Sequence, residues 1–316
     1  MPDTRTRAGS RTGADTRTGV DTRTGPHRCG FIAIVGRPSV GKSTLLNALV
    51  GDRISITSKK PQTTRHRITG IVTEPGVQFL FVDTPGFQTR HRSPLNDRLN
   101  RAVTDGLASA DAIVFVVEGA RLTAADREVL ALLPPRVPVV AALNKIDMLD
   151  NRDALLPAIA ALSTQREFAA IVPVSAERGI GLDRLKVALA GLLPASQALY
   201  PDDQLTDRDE RFLAAEFIRE KLFRQLGEEV PYATAVVIES FEHTGSLRRI
   251  RATILVDKPG QRAILVGDGG ARMKSIASAA RADMERAFGG RVYLEVWVRV
   301  KAGWARNDAL LTRLGY

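Results

Sequence analysis

A single cysteine, Cys29, in 316 residues excludes an internal disulfide framework and a cysteine zinc cluster, and fits a reducing cytosol. Histidine is scarce too: of four, His91 and His243 sit in polar loops with no second ligand at metal spacing, so no zinc site is expected. No apolar run approaches the ~20 residues needed to cross a bilayer, which argues against an integral membrane protein. A strongly basic region is missing as well. The net charge of +10 suggests polyanionic partners, yet basic and acidic residues number 20 and 15 across 30–200 and 19 and 17 across 201–316. Any nucleic-acid site therefore has to come from local clusters and a motif. What remains is an ordinary soluble composition, 44% hydrophobic and 25% charged, with length for about two domains.

Residues 1–29 hold six arginines and three aspartates with almost no apolar side chain, and repeat Asp-Thr-Arg-Thr-Gly from Asp15 and Asp21. Such a segment cannot bury enough surface to offset its ordering, so a disordered basic extension is expected. Its acids and its lack of an apolar core argue against a signal or transit peptide.

The chain is organised around Gly36-Arg37-Pro38-Ser39-Val40-Gly41-Lys42-Ser43-Thr44, a G-x-x-x-x-G-K-S/T loop between the apolar run Phe31–Val35 and the helix-like Leu45–Val50. Gly36 and Gly41 let the backbone curl until its N–H groups face one concavity, and the following helix adds the positive end of its dipole. Lys42 supplies charge to the β and γ phosphates, and the Ser43 hydroxyl suits Mg2+. Further strands are expected at Ile68–Thr73, Val77–Val82, Ala112–Val117, Val137–Leu143 and Ile171–Val174. Helices are expected at Leu95–Ala108, Ala125–Leu132, Asp153–Phe168 and Leu182–Leu192. This alternation implies an α/β domain with a mostly parallel, doubly wound sheet, which binds ligands at the carboxyl ends of its strands.

Four more stretches fall where that fold places loops. Asp83-Thr84-Pro85-Gly86 puts a carboxylate beside the phosphate loop, able to hold a water on Mg2+, with the Gly86 N–H able to sense a γ-phosphate. Asn144-Lys145-Ile146-Asp147 offers Asp147 to guanine N1–H and N2–H2 together, a pair that adenine lacks. Lys145 would lie along the base plane and Asn144 would tie the loops together. Ser175-Ala176 can offer backbone N–H groups to guanine O6. Between the first helix and second strand, Lys59 to Arg67 includes Thr64, placed to give Mg2+ a second hydroxyl and to be released when the γ-phosphate leaves.

Together these motifs resemble the small GTPase superfamily. The strings Ile54-Ser55-Ile56-Thr57-Ser58, Gln62-Thr63-Thr64-Arg65-His66-Arg67 and Val114-Phe115-Val116-Val117-Glu118-Gly119, with Gly303-Trp304 near the end, resemble the Era family of bacterial ribosome-assembly GTPases from about Gly30 to Tyr316. A GTPase domain is thus expected over 30–193, a linker over 194–206 and a second domain over 207–316.

That second domain reads as the helix Arg211–Leu226, strands Ala233–Phe241 and Arg248–Val256 around the turn His243–Ser246, and the short helix Arg262–Val266. The loop Gly267-Asp268-Gly269-Gly270, the helix Ala271–Phe288 and the strand Val292–Val300 follow. This order resembles an α+β KH RNA-binding domain of type II, whose G-x-x-G loop approaches a single-stranded chain closely, here with Arg272 and Lys274 beside it. Ile264, Leu265, Ile276 and Ala277 line its groove or fill the core, and core packing is the commoner role. Trp304 anchors the C-terminal segment.

The resemblance implies GTP binding and hydrolysis with Mg2+, recognition of the 3′ end of 16S ribosomal RNA, help in maturing the 30S subunit, and a cytoplasmic monomer with peripheral inner-membrane association. Rival readings are a nucleotide-stabilised structural RNA-binding factor and a membrane-surface GTPase. Three positions depart from the expected pattern. Phe87 stands where Ras-like enzymes carry a water-orienting glutamine, which implies slow intrinsic hydrolysis. Ser39 replaces an asparagine associated with potassium, which argues against K+ stimulation. Asp268 puts an acid in the G-x-x-G loop, which weakens its attraction for phosphates.

Overall fold

The computed structural model describes residues 27–58, 60, 63–85, 104, 106–119, 122–149, 151–227 and 229–313. Its first sheet is built from β1 (Arg28–Val35), β2 (Ile68–Glu74), β3 (Val77–Asp83), β4 (Ala112–Glu118), β5 (Val139–Asn144) and β6 (Ala170–Pro173). The spatial order is β2-β3-β1-β4-β5-β6; β2 runs antiparallel to β3, and every other pairing is parallel. The inner strands are apolar almost without interruption because helices cover both faces. Alternate residues feed two cores. Ile32, Ile34, Val114 and Val116 pack with Leu45 of α1 (Lys42–Val50) and Leu185 of α4 (Leu182–Ala190). Ala33, Val35, Phe115 and Val117 pack with Val129 of α2 (Ala124–Ala131) and Leu162 of α3 (Leu155–Ser163). Each such side chain, fully buried, contributes about 1.5–3 kcal/mol.

Three boundaries differ from the sequence expectation. First, β1 opens at Arg28, and Cys29 is buried in the core, so the expected extension over 1–29 is too long by its last residues. Burial pushes the Cys29 thiol up, which makes it a poor nucleophile. Second, α3 is shorter than Asp153–Phe168, since Ser163 and Thr164 turn their hydroxyls onto Ala160 O and Ala161 O, each at 2.8 Å, as the helix ends. Third, residues 194–206 do not hang free. Gln78 accepts the N–H groups of Leu199 and Tyr200, and Leu205 O accepts Ile71 N, so the connector lines the open edge of β2. Of the expected helix Leu95–Ala108, residues 104 and 106–108 are helical and 95–103 lie outside the described residues. Residues 1–26 also lie outside them.

The second unit has α5 (Glu210–Gln225), β7 (Thr234–Thr244), β8 (Leu247–Val256), α6 (Pro259–Val266), α7 (Ala271–Phe288) and β9 (Arg291–Val300). The first two strands are longer than expected and leave a two-residue turn, Gly245-Ser246, with Gly245 at φ +60°. The sheet order is β7-β8-β9, antiparallel and then parallel. One face packs Ile250, Ala252 and Ile254 against Ile218, Leu222, Ile276 and Met284 of α5 and α7. The far face is covered at one end by the C-terminal segment. There Trp304, 1% exposed, packs on Ala235 and Leu255 and donates Nε1–H to Ala233 O at 3.0 Å, as expected for an anchor. Trp304→Ala should destabilise this unit by about 3–5 kcal/mol. Urea unfolding followed through the fluorescence of the remaining Trp297 checks it.

Candidate functional site

Five strand ends place the site. The phosphate loop follows β1, Asp83 ends β3, Glu118 ends β4, Asn144 ends β5 and Ser175 follows β6. Both loop glycines are required where they stand: a Cβ on Gly36 would lie 2.4 Å from Val116 O, and one on Gly41 2.4 Å from Asn144 Nδ2. The buried Lys42 ammonium donates to Gly36 O and Arg37 O, both at 2.9 Å, so it lies folded across its own loop. Burial pulls its pKa from 10.5 to about 8, against the opposing pull of Asp83. The Arg37 side chain turns away from this concavity, to Glu118 at 2.5 Å and Asp126 at 3.3 Å. Lys42 is therefore the loop's own cation there.

Asp83 is fully buried, and its Oδ2 gathers hydroxyls from three segments: Ser43 at 2.7 Å, Ser55 at 3.1 Å and Thr64 at 3.3 Å. Ser43 and Thr64 also meet each other at 2.8 Å. Burial pushes the Asp83 carboxyl up, and those hydroxyls and Lys42 oppose the shift. Its Oδ1 is buried with no partner among the described residues. Hydroxyls converging on a carboxylate with one oxygen unused are the all-oxygen donor set of a hard cation, so Mg2+ fits. Thr84 turns its hydroxyl to Ile34 O, and Pro85 is buried; Gly86 and Phe87 lie outside the described residues.

At the other end, buried Asn144 donates to Val40 O at 2.9 Å and accepts Ala176 N–H at 3.0 Å, so it ties two loops together. Ser175 contributes differently from expectation. Its N–H goes to Ile180 O and that of Ala176 to Asn144, so both are engaged within the protein, while the Ser175 hydroxyl holds Asp147 Oδ1 at 2.5 Å. Ile146 opens the short helical turn that carries Asp147. The Lys145 ammonium reaches Ser39 O at 3.0 Å and Glu118 at 2.6 Å.

The Thr64 segment is also bound to the second unit. Arg65, 2% exposed, donates to the carbonyls of Thr234, Tyr232 and Pro231 at 2.9, 2.9 and 3.2 Å and lies over the Phe223 ring. Arg53 pairs with Glu220 and Asp283, Thr57 N–H donates to Glu220, and Lys60 reaches Leu226 O. In the G-x-x-G loop, Gly267, Gly269 and Gly270 take φ of +71°, +51° and +81°, and Asp268 is exposed. Arg272 folds back onto Ile264 O at 2.5 Å, whereas Lys274 is exposed. Leu265 and Ile276 are core, but Ile264 is 45% exposed, against its expected core role. A concavity of about 490 Å3 between Arg251, Thr253, Trp297 and Arg299 holds none of the motif residues. Among the described residues no cluster of His, Cys, Asp and Glu could hold a metal, and no helix is long and apolar enough to span a membrane.

Comparison with known proteins agrees with this geometry. Residues 31–145 match the family described as 50S ribosome-binding GTPase, and residues 229–305 match the KH domain family. GTPase Era of Chromobacterium violaceum is 53% identical over 290 residues, covering 92% of this chain and 98% of its own. The chain belongs to the Era family of GTPases. GTPase Era of Neisseria meningitidis serogroup C is 54% identical over 291 residues, covering 92% of this chain and 95% of its own. Two solved Era structures superpose with a TM-score of 0.87 at 36% identity, covering 92% of this chain and 99% of theirs. One is an Aquifex aeolicus variant bound to GDP and AlF4−, the other a complex with MgGDPNP and nucleotides 1506–1542 of 16S ribosomal RNA.

Within this Era-type site, motif reading misses Ser55, Glu118 and the interface residue Arg65. Ser55 carries no signal beyond its string, because a lone serine becomes informative only when the fold brings it to Asp83. The pKa of Lys42 gives a test of the phosphate site. A phosphate oxygen beside Lys42 favours the ammonium, while the free group loses its proton near pH 8. Nucleotide affinity should hold below pH 8 and fall by up to about tenfold per pH unit above it, with binding at pH 9 taking up about one proton. Calorimetry in two buffers of different ionisation enthalpy reads that uptake.

Proposed function

We propose that this GTPase is a switch in which the nucleotide state at the Asp83 cluster sets the affinity of the second unit for the 3′ end of small-subunit ribosomal RNA, and that it assists 30S maturation. Gly36 to Thr44 would wrap the phosphates, Asp147 would read guanine N1–H and N2–H2, and Lys145 would flank the base. Ser43 and Thr64 would hold Mg2+, with Asp83 through water; the ion would supply charge neutralisation between the β and γ phosphates when bound. Water attacks the γ-phosphate, and GDP leaves. Lys42, itself buried, stabilises the charge that moves to the bridging oxygen. Phe87 cannot hydrogen-bond the attacking water, so intrinsic hydrolysis is slow and a partner accelerates it. With Ser39 exposed in the phosphate loop in place of an asparagine, potassium does not stimulate it.

The observation that carries this reading is the junction of Thr64 and Arg65. Consecutive Cα atoms are about 3.8 Å apart, so the hydroxyl on Asp83 and the guanidinium buried among carbonyls 231–234 cannot move independently. Loss of the γ-phosphate would free Thr64 and, through Arg65, the second unit. The partner assignment draws on the 16S ribosomal RNA bound by the related Era. The protein works in the cytoplasm as a monomer, with any membrane contact peripheral.

Binding to 30S subunits and to a 3′-terminal ribosomal RNA fragment, with GTP analogue, GDP or no nucleotide, tests the switch. The GTP-analogue state binds at least about tenfold tighter, a coupling in the ordinary allosteric range. Gly270→Asp abolishes RNA binding in every state. Arg65→Ala retains GTP binding but makes RNA affinity indifferent to nucleotide. Affinity that ignores nucleotide in the unaltered protein would favour the structural RNA-binding factor instead.

A further inference from the structure

Four charged side chains cross the mouth of the nucleotide cleft in a line, and its two acids belong to none of the motifs. Asp126, fully buried, faces Arg37 Nε at 3.3 Å; Arg37 Nη2 meets Glu118 Oε2 at 2.5 Å; Glu118 Oε1 meets Lys145 Nζ at 2.6 Å. One carboxylate at the end of β4 thus grips one side chain of the phosphate loop and one of the base loop. Partial burial raises its pKa, but Lys145 and Arg37 outweigh this and hold it below the usual carboxylate range.

The backbone beneath this line is unusual. Ser39 at φ +65° and Lys145 at φ +63° are the non-glycine residues with positive φ among the described residues, and Lys145 Nζ donates to Ser39 O at 3.0 Å. Left-handed backbone at such residues costs about 1–2 kcal/mol and persists only where its surroundings fix it. Here the two strained positions, one in each loop, are joined by a single ammonium whose charge is met by Glu118. The strands behind them share the burden: Glu118 and Asn144 are register partners, and Gly119 N–H donates to Asn144 O at 2.9 Å.

We propose that Glu118 is a positioning residue for guanine-nucleotide binding: by holding Lys145 and Arg37 on one carboxylate, it couples the base loop to the phosphate loop. This rests on the reading that Lys145 flanks the base. Without Glu118 the ammonium keeps Ser39 O, and Arg37 keeps Asp126 and a long hydrogen bond to Pro38 O. Each loop then has to be ordered separately by the nucleotide, which shortens residence rather than altering base choice.

A stopped-flow measurement of fluorescent GDP release, with thermal melting of the nucleotide-free protein, tests this in Glu118→Ala, Glu118→Gln, Lys145→Ala and the double variant Glu118→Ala/Lys145→Ala. Release from Glu118→Ala should be about tenfold faster and from Glu118→Gln about threefold faster, since the amide keeps an acceptor but not the charge. On a Lys145→Ala background, Glu118→Ala should add less than about twofold, the non-additivity of residues acting as one unit. An exposed structural ion pair would instead give effects that multiply. Should Glu118→Ala melt more than about 4 °C lower, Glu118→Gln carries the comparison. Asp147→Asn is the control for the underlying reading: if it fails to shift preference from GTP to xanthosine triphosphate, the base-loop assignment is wrong. If it shifts preference while Glu118 variants release GDP at the original rate, or multiply with Lys145→Ala, the coupling role is overturned.

Discussion

A carboxylate taken fully out of water must be matched by donors or it takes up a proton, and Asp83 meets that demand in a way that shapes the whole first unit. Its Oδ2 draws hydroxyls from Ser43 at the start of α1, Ser55 just beyond the helix, and Thr64 ahead of β2. These three residues span most of the chain between β1 and β2, so a single oxygen fixes how that chain folds back over the sheet. Lys42, buried beside it, donates to loop carbonyls, and burial lowers its pKa against the pull of Asp83. Asp83 Oδ1, without a partner among the described residues, and the buried Lys42 ammonium suit one ligand: a polyanion with a hard cation.

The consequence reaches the second unit because the residue after Thr64 is Arg65. The interface it enters is rich in polar contacts, with Phe212 of α5 also packed on the first unit's core, and its charges do not depend wholly on it. Glu220 binds Arg53 across the interface but also Lys221 and Arg224 on its own helix; Asp283 likewise keeps Lys221 and Arg286. An interface built only from cross-pairs would strand buried charges on opening, at several kcal/mol each. Here both acids retain partners on either side of the transition. Separation then costs the Arg65 hydrogen bonds and its contact with Phe223, together with the Thr57–Glu220, Lys60–Leu226 and Arg224–Thr57 hydrogen bonds.

Much of this was legible in the residues. The strand and helix periods gave the layer order because the inner strands are continuous apolar runs, and the motifs gave the strand ends because their order along the chain fixes which loops meet. Ser55 and Glu118 were not legible as site residues: one serine or glutamate after an apolar segment has the same pattern whether it faces solvent or a ligand. That the N–H groups of Ser175 and Ala176 have acceptors within the protein was not legible for a related reason. A dipeptide says nothing about whether its donors are already taken, and only the fold reveals Asn144 and Ile180 as acceptors. The helix over 153–168 was overextended since side-chain hydroxyls that compete for carbonyls, as at Ser163 and Thr164, leave apolar periodicity intact.

The proposed RNA groove follows the opposite logic from the nucleotide site. Arg272 and Lys274 lie beside the glycine loop, but Asp268 stands in it, as the sequence implies, and Arg272 is committed to Ile264 O. Arg262 and Lys274, on the helices either side, are exposed cations flanking a turn whose glycines leave the backbone bare. Close backbone approach and apolar contact with the exposed Ile264 would then add to what these cations supply, and both depend on a splayed single strand. A groove of this kind discriminates single strands from duplexes by shape before charge acts, and it gains most when the first unit holds it in place. On the proposed function, the interface at Arg65 would then contribute to recognition alongside the glycine loop.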